Sequence, residues 1–180
     1  MSALSGKKIL LGISGGIAAY KSPLIVRLLK SHGAEVKIVM TPSAKDFVTP
    51  LTLSTLSNHP VYSTFTGELH DNPVWNDHVA LGKWADLFLI APATSNTLSA
   101  MVHAKCNNLL IATYLSCTCP VYIAPAMDLD MYAHPANQEN LEELNRIGKK
   151  VLPVGEGFLA SRLHGKGRML EPEEIIRHIS

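Results

Sequence analysis

The sequence predicts one α/β domain: a mostly parallel sheet held between two layers of helices, a three-layer sandwich. Three observations predict it. Short apolar runs alternate with stretches of helical spacing along the whole chain. The first run, Ile9 to Ile13, passes through Ser14-Gly15-Gly16 straight into a helical pattern of Ile17, Tyr20, Leu24 and Leu28. Apolar residues make up 47% of 180, enough to fill one sizeable core.

Each element then follows in order. Ala34 to Met40 is a second strand, preceded by Gly33 as a helix C-cap. Thr41-Pro42 opens a short helical piece. The leucines at 51, 53 and 56 fit helix or strand, and Thr49-Pro50 favours a helix start. Pro60 to Phe65 suits an edge strand, and the polar stretch Gly67 to Asn76 reads as a loop. His78 to Trp84 makes one or two helical turns, and Asp86 to Ala91 is a third strand. Thr94 can cap the next helix, whose inner face carries Leu98 and Met101. Asn107-Asn108 precedes a buried helix, LLIATYLS. Pro120 to Ala124 and Lys150 to Val154 are the fourth and fifth strands, with a helix from Pro135 to Ile147 between them. Gly155 to Met169 is glycine-rich, basic and without a clean period, which suits a lid or binding loop. Glu171 to Ile179 is a last short helix.

The bulk properties exclude several function classes. Net charge is +1, from 16 basic and 15 acidic residues, so nothing calls for nucleic acid or an anionic membrane. No apolar stretch is long enough to span a bilayer, and no secretory leader is visible. The expectation is a cytoplasmic protein. Cys106, Cys117 and Cys119 do not make a disulfide framework, and Cys117-Thr118-Cys119 reads as buried, inert thiols.

Three strand ends carry hydroxyls and small residues: Ser14 with Gly15, then Thr41, then Thr94 to Thr97. A parallel sheet brings such ends to one edge. Free amides at residues 12 to 18, with no Cβ at the glycines, suit a phosphate. Taken singly, each end is equally well a turn or a cap; together they favour a nucleotide-like ligand. His78 suits general base work, with a capping or surface histidine as the competing reading; His103 and His134 are weaker candidates. Asp128 and Asp130 follow the fourth strand with no histidine or cysteine at ligand spacing, so no metal is expected. Arg162, His164, Lys166 and Arg168 form a basic cluster that can close over a phosphorylated substrate or stay a solvated patch.

With these motifs in view, the chain resembles the flavin-dependent cysteine decarboxylases, most closely the phosphopantothenoylcysteine decarboxylase domains of bacterial coenzyme A biosynthesis. The resemblance rests on GISGGIAAYK (12–21), VMTPSAKDFVTPLTL (39–53), HVALGKWAD (78–86), LIAPATSNTLSAM (89–101), NNLL (107–110), PAMDLDMY (125–132) and GKGRM (165–169). It covers nearly the whole chain. It implies a Rossmann-like or flavodoxin-like flavoprotein fold over 1–180, with a flexible substrate flap at about 157–169. FMN is the implied cofactor, bound where subunits of a trimer, or of a dodecamer built from trimers, meet.

Residue by residue, the resemblance implies that Ser14, Gly15, Gly16, Ile17, Thr41, Ser43, Thr94, Ser95, Asn96, Thr97, Asn107 and Asn108 hold the flavin. His78 and Asp128 are the implied catalytic residues. Asp128, Met131, Ser161, Lys166 and Arg168 are the implied substrate contacts. The implied substrate is 4'-phospho-N-pantothenoylcysteine and the product 4'-phosphopantetheine; a fused or separate phosphopantothenate–cysteine ligase is the implied partner. The resemblance implies that the flavin would supply reversible two-electron chemistry, so that decarboxylation brings no net oxidation.

The chain departs from the family pattern at several positions. Asp128 replaces a usual asparagine, Ser161 a usual proton-donating cysteine, Asn107 a usual aspartate, and Ala104 and Arg162 usual glycines. Two alternatives stay open at this point. One is another FMN enzyme of the superfamily, acting on a peptide C-terminal cysteine or in prenyl transfer. The other is an inactive flavin-binding regulatory subunit.

Overall fold

The computed structural model describes residues 3–69 and 72–180. The first half of the chain runs β1 (Lys8–Ile13), a 3-10 turn (Ile17–Lys21), α1 (Ser22–Ser31), β2 (Glu35–Met40), α2 (Pro50–Ser57), β3 (Val61–Tyr62), β4 (Thr66–Leu69), β5 (Asn72–Trp75) and α3 (His78–Trp84). The second half runs β6 (Leu87–Ala93), α4 (Ser95–Val102), α5 (Leu109–Ser116), β7 (Val121–Pro125), α6 (Leu129–Ala133), α7 (Pro135–Arg146), β8 (Lys150–Val151), β9 (Gly155–Phe158), β10 (His164–Arg168) and α8 (Pro172–Ile179).

The main sheet has six strands in the order β3-β2-β1-β6-β7-β8. Every pairing in it is parallel. The strand order reverses between β1 and β6, so a crevice opens there at the carboxyl edge. Alternation along β1 sorts the two layers: Ile9, Leu11 and Ile13 face α1, α2 and α8, while Leu10 faces α4, α5 and α7. Gly12 lies on the second face because a Cβ there would sit 2.9 Å from the Phe88 ring. These two dry faces hold the sheet rigid, each fully buried Leu, Ile or Phe contributing roughly 1.5–3 kcal/mol.

Four expectations need correction. The helix expected from Ile17 is a 3-10 turn followed by α1, because Ser22-Pro23 restarts the helix with proline in its first turn. The buried face of α1 is consequently Ile25, Val26 and Leu29, and Ile17, Tyr20 and Leu24 are exposed. The loop expected at Gly67 to Asn76 is the antiparallel hairpin β4–β5. Its base closes through Asn76, which donates from its backbone to Phe65 O (2.8 Å) and from its side chain to Thr64 O (2.7 Å). The lid expected at Gly155 to Met169 is likewise paired, as β9–β10. Finally, the last helix before β8 ends at Arg146, leaving Ile147 exposed.

Two departures from the family glycines have a local consequence. Ala104 has φ +51° and Arg162 has φ +69°, both in the left-handed region that glycine enters without strain. An L side chain there costs about 1 kcal/mol.

Candidate active site

The crevice at the strand-order reversal is an open cavity of about 620 Å³, within the size range of small-molecule sites. Its walls come from four segments. The turn after β1 gives Gly15 and Gly16, and the 3-10 turn adds Ile17, Tyr20 and Lys21. The end of β6 gives Thr94, Ser95 and Asn96. The turn after β7 gives Met127 and Asp128, with Met131 from α6. The β9–β10 hairpin closes the far side with Phe158, Leu159 and Arg168.

Ser14 sets the spacing of the first two walls. Its buried hydroxyl donates to Pro92 O (2.7 Å) and accepts from the Thr94 amide (3.0 Å), tying β1 to β6. Gly15 is pressed on the next segment: a Cβ would lie 2.4 Å from Ser43 Oγ and 2.9 Å from the Ser43 carbonyl carbon. Thr41 and Ser43 share a hydroxyl contact at 3.2 Å and support the glycine turn from behind. A Cβ at Gly16 would meet Thr94 Cγ2 at 3.1 Å. Among the described residues the amides of Gly15 and Gly16 meet no acceptor. Such a turn, with no side chain in the way and donors to spare, fits a phosphate group of a nucleotide-like cofactor.

The other walls are fixed as firmly. Ser95 donates to Asn137 Oδ1 (2.6 Å), and Asn137 Nδ2 donates to Met131 O (2.7 Å), joining α4 to the segment after β7. Thr94 and Thr97 share a hydroxyl contact at 3.2 Å. Asp128 caps the short α6, its Oδ1 accepting from the Leu129 amide at 2.7 Å. The hairpin docks along β10. Met127 N donates to Gly167 O (3.0 Å), and a Cβ at Gly165 would lie 2.6 Å from Leu129 Cδ1.

Sequence reasoning found Arg168 but missed the buried cation in the cavity wall, Lys21. Lys21 has 3% of its side chain exposed. Its Nζ donates to Met169 O (2.9 Å) and Glu171 Oε1 (2.9 Å). Arg168 donates to the same Glu171 oxygen at 2.8 Å. Lys21, and Arg168 after it, hold the Glu171 carboxyl below the usual carboxylate range. The carboxylate thus joins the 3-10 turn to the hairpin and leaves the network one net positive charge. The available signal was a lysine closing the apolar run IAAY.

The structure brings together Gly15, Gly16, Ile17, Thr94, Ser95, Asn96, Asp128, Met131 and Arg168. Ser14, Thr41, Ser43 and Thr97 support these walls without lining the cavity. Asn107 and Asn108 lie away from it: Asn108 caps α5 by accepting from the Ile111 amide (3.0 Å) and donates to Asn107 Oδ1 (2.9 Å). Ser161 is exposed at the hairpin tip, and Lys166 is exposed on β10.

His78 is also outside the cavity of its own chain. It opens α3, where Asp77 Oδ1 accepts from the Val79 and Ala80 amides. The ring stands edge-on to Phe65 and Trp75, at 6.1 Å and 6.2 Å between centroids. Its Nδ1 is buried with no hydrogen-bond partner among the described residues. Only Nε2 is left to exchange a proton with a ligand. Trp75, Val74 and Val79 in the neighbouring sequence are exposed, as are Ile17 and Tyr20 in the cavity wall and Leu24 on α1.

The bifunctional coenzyme A biosynthesis protein CoaBC of Vibrio vulnificus is 44% identical over 98% of this chain, which covers 43% of that protein. A cysteine/cysteine sulfinic acid decarboxylase from an unknown prokaryotic organism is 53% identical over 73% of this chain and 36% of its own length. The chain thus spans under half the length of these curated relatives. Among solved structures, a cysteine-to-serine mutant of PPC decarboxylase complexed with pantothenoylaminoethenethiol superposes with a TM-score of 0.83 at 30% identity, covering 97% of this chain and 96% of that one. The fold is the flavodoxin-like sandwich of flavoproteins. The model of the Flavoprotein family matches residues 2–180, and the chain belongs to that family.

Proposed function

We propose that this chain is an FMN-dependent decarboxylase of 4'-phospho-N-pantothenoylcysteine, forming 4'-phosphopantetheine in coenzyme A biosynthesis. One observation carries the reading: unpaired glycine amides and a cation network face one cavity at the strand-order reversal. Gly15, Gly16 and Ile17 would hold the FMN phosphate, and Thr94, Ser95 and Asn96 would contact the rest of the flavin. When bound, the flavin supplies reversible two-electron chemistry at the cysteinyl carbons.

The chain's own residues do the rest. Arg168 and Lys166 present positive charge to a substrate that carries a phosphate and a carboxylate. Asp128 stands where that carboxylate arrives, and repulsion there favours its loss. Met131, Phe158 and Leu159 exclude water from the reacting atoms. His78 takes and returns the thiol proton through Nε2. Because His78 lies off its own chain's cavity, a neighbouring copy supplies it. The exposed apolar side chains at the cavity mouth and around His78 support that reading, in a homotrimer or a dodecamer of trimers. Residues 1–180 act as one domain, beside a fused or separate phosphopantothenate–cysteine ligase, and a phosphorylated substrate keeps the reaction in the cytoplasm. No helix among the described residues is long and apolar enough to cross a membrane.

A second reading has its own support. At the hairpin tip the Ser161 hydroxyl, a far weaker acid than a thiol, stands where the resemblance implies a cysteine; unless His164 or water donates instead, the reaction stops before electrons return. Mass spectrometry after anaerobic incubation of the FMN-loaded protein with phosphopantothenoylcysteine separates the cases. Loss of carbon dioxide alone is the expected result. Loss of carbon dioxide and two further hydrogens indicates oxidative decarboxylation. An unchanged adduct, with turnover of free cysteine or cysteine sulfinic acid, contradicts the substrate assignment.

A further inference from the structure

We propose that Cys117 and Cys119 form a reactive dithiol, a modification site at the sheet edge opposite the cavity, which closes to a disulfide when attacked by a small disulfide of the glutathione type. The two Sγ atoms lie 3.8 Å apart, between the end of α5 and the start of β7. Both residues are partly exposed, which corrects the buried thiols expected from the sequence. Neither takes part in the cavity or its supports. Thr118 between them is exposed and lies outside helix and strand, and the bend at Cys119 follows it; closure brings the sulfurs to the ~2.05 Å of a bond.

The pair is chemically divided. The hydrogen bond from Cys119 draws the Cys117 thiol down to about 7, against the opposing effect of burial, and the Lys149 ammonium assists. The same bond, then burial, pushes Cys119 up. The other charged or titratable groups facing the pair are Asp86 and Tyr114, the latter with the Lys149 ammonium 5.4 Å from its ring centre. One sulfur is thus the nucleophile and the other the protonated partner.

The step balances. The Cys117 thiolate attacks one sulfur of the small disulfide, expels one small thiolate and leaves a mixed disulfide. Cys119 loses its proton and attacks Cys117 Sγ, expelling the second small thiolate. Two electrons pass from the pair to the reagent, and the two protons end on the released thiols. In a reducing compartment such a bond is transient and signals oxidation.

The bond also has a neighbour to push. α3 packs its Gly82 on this segment so closely that a Cβ there would lie 3.1 Å from Cys117 N and 3.2 Å from Cys117 Cα. Contraction of residues 117–119 therefore bears on α3, the helix that His78 opens.

The test uses the full chain carrying Cys106→Ser, treated with oxidised glutathione without denaturant. The expected product has lost the mass of two hydrogens and carries no adduct. Adding Cys119→Ser traps one glutathione at Cys117. Adding Cys117→Ser slows the reaction at least about tenfold. Alkylation at Cys117 rises through half its maximum near pH 7. Amide exchange across His78–Trp84 is faster in the oxidised form. Stable adducts on both cysteines, disulfide-linked dimers, or no reaction while the denatured chain reacts fully would each overturn the dithiol. Identical exchange of α3 in the two forms would overturn its coupling to that helix.

Discussion

Replacing His78 by asparagine is expected to leave FMN bound and to cut decarboxylation by at least about a hundredfold, the low end of what a positioned acid–base group contributes. Flavin retention follows from the placement of His78. It lies on α3, outside the cavity of its own chain, so its replacement leaves the glycine turn and the Thr94–Asn96 wall unchanged. The loss of rate follows from the ring. Nδ1 is buried with no partner among the described residues and the ring stands edge-on to Phe65 and Trp75, so the proposed proton exchange runs through Nε2. Asparagine fills part of that space and exchanges no proton. Visible absorbance and the turnover rate of the same sample decide the matter. A yellow variant with ordinary turnover removes His78 from the reaction.

Gly167→Ala is expected to destabilise the fold by about 3 kcal/mol and to detach the hairpin from the cavity. Two costs add. Gly167 has φ +130°, which a side chain adopts only at roughly 1–3 kcal/mol. The new Cβ would also lie 2.4 Å from Met127 O, and a backbone carbonyl in a turn held by Met127 N and Gly167 O has little room to yield. Overpacking of this kind adds roughly 1–3 kcal/mol. Gly155→Ala in the same hairpin is the control. Its Cβ meets Arg168 O at 3.5 Å, an ordinary contact, and its denaturation midpoint should stay near the parent value. Equal midpoints for the two variants would mean that β10 is not clasped by the turn after β7.

The contrast between those glycines shows what a sequence can carry. The strands of the main sheet were legible because each is a run of apolar residues bounded by turn formers, as in Ile9 to Ile13 and Pro120 to Ala124. The helix starts after Thr49 and Asn108 were legible from residue type and position, whereas Thr94, expected to cap α4, makes no side-chain cap and shares its hydroxyl with Thr97 instead. The two hairpins were not. Gly67 and Pro73, or Gly155 and Gly165, read as loop chemistry, and only pairing across the hairpin makes strands of them. Strand order was also invisible, since nothing local says that β6 returns beside β1.

The site was legible where local chemistry suffices. Gly15, Gly16, Thr94 and Asn96 were found because strand ends with small polar residues gather on one edge. Lys21 was missed because its role depends on Glu171, 150 positions away. Asn107 and Asn108 were expected at the flavin; in the single chain Asn108 caps α5 and Asn107 accepts a hydrogen bond from it, away from the cavity.

Diffraction from crystals grown with FMN is the most direct test of the central claim. The expected map has the phosphate on the amides of Gly15 and Gly16, the ring along Thr94 to Asn96, and an imidazole of a neighbouring copy's His78 at the ring. A protein that takes up no FMN, or a flavin seated away from the reversal between β1 and β6, would contradict it.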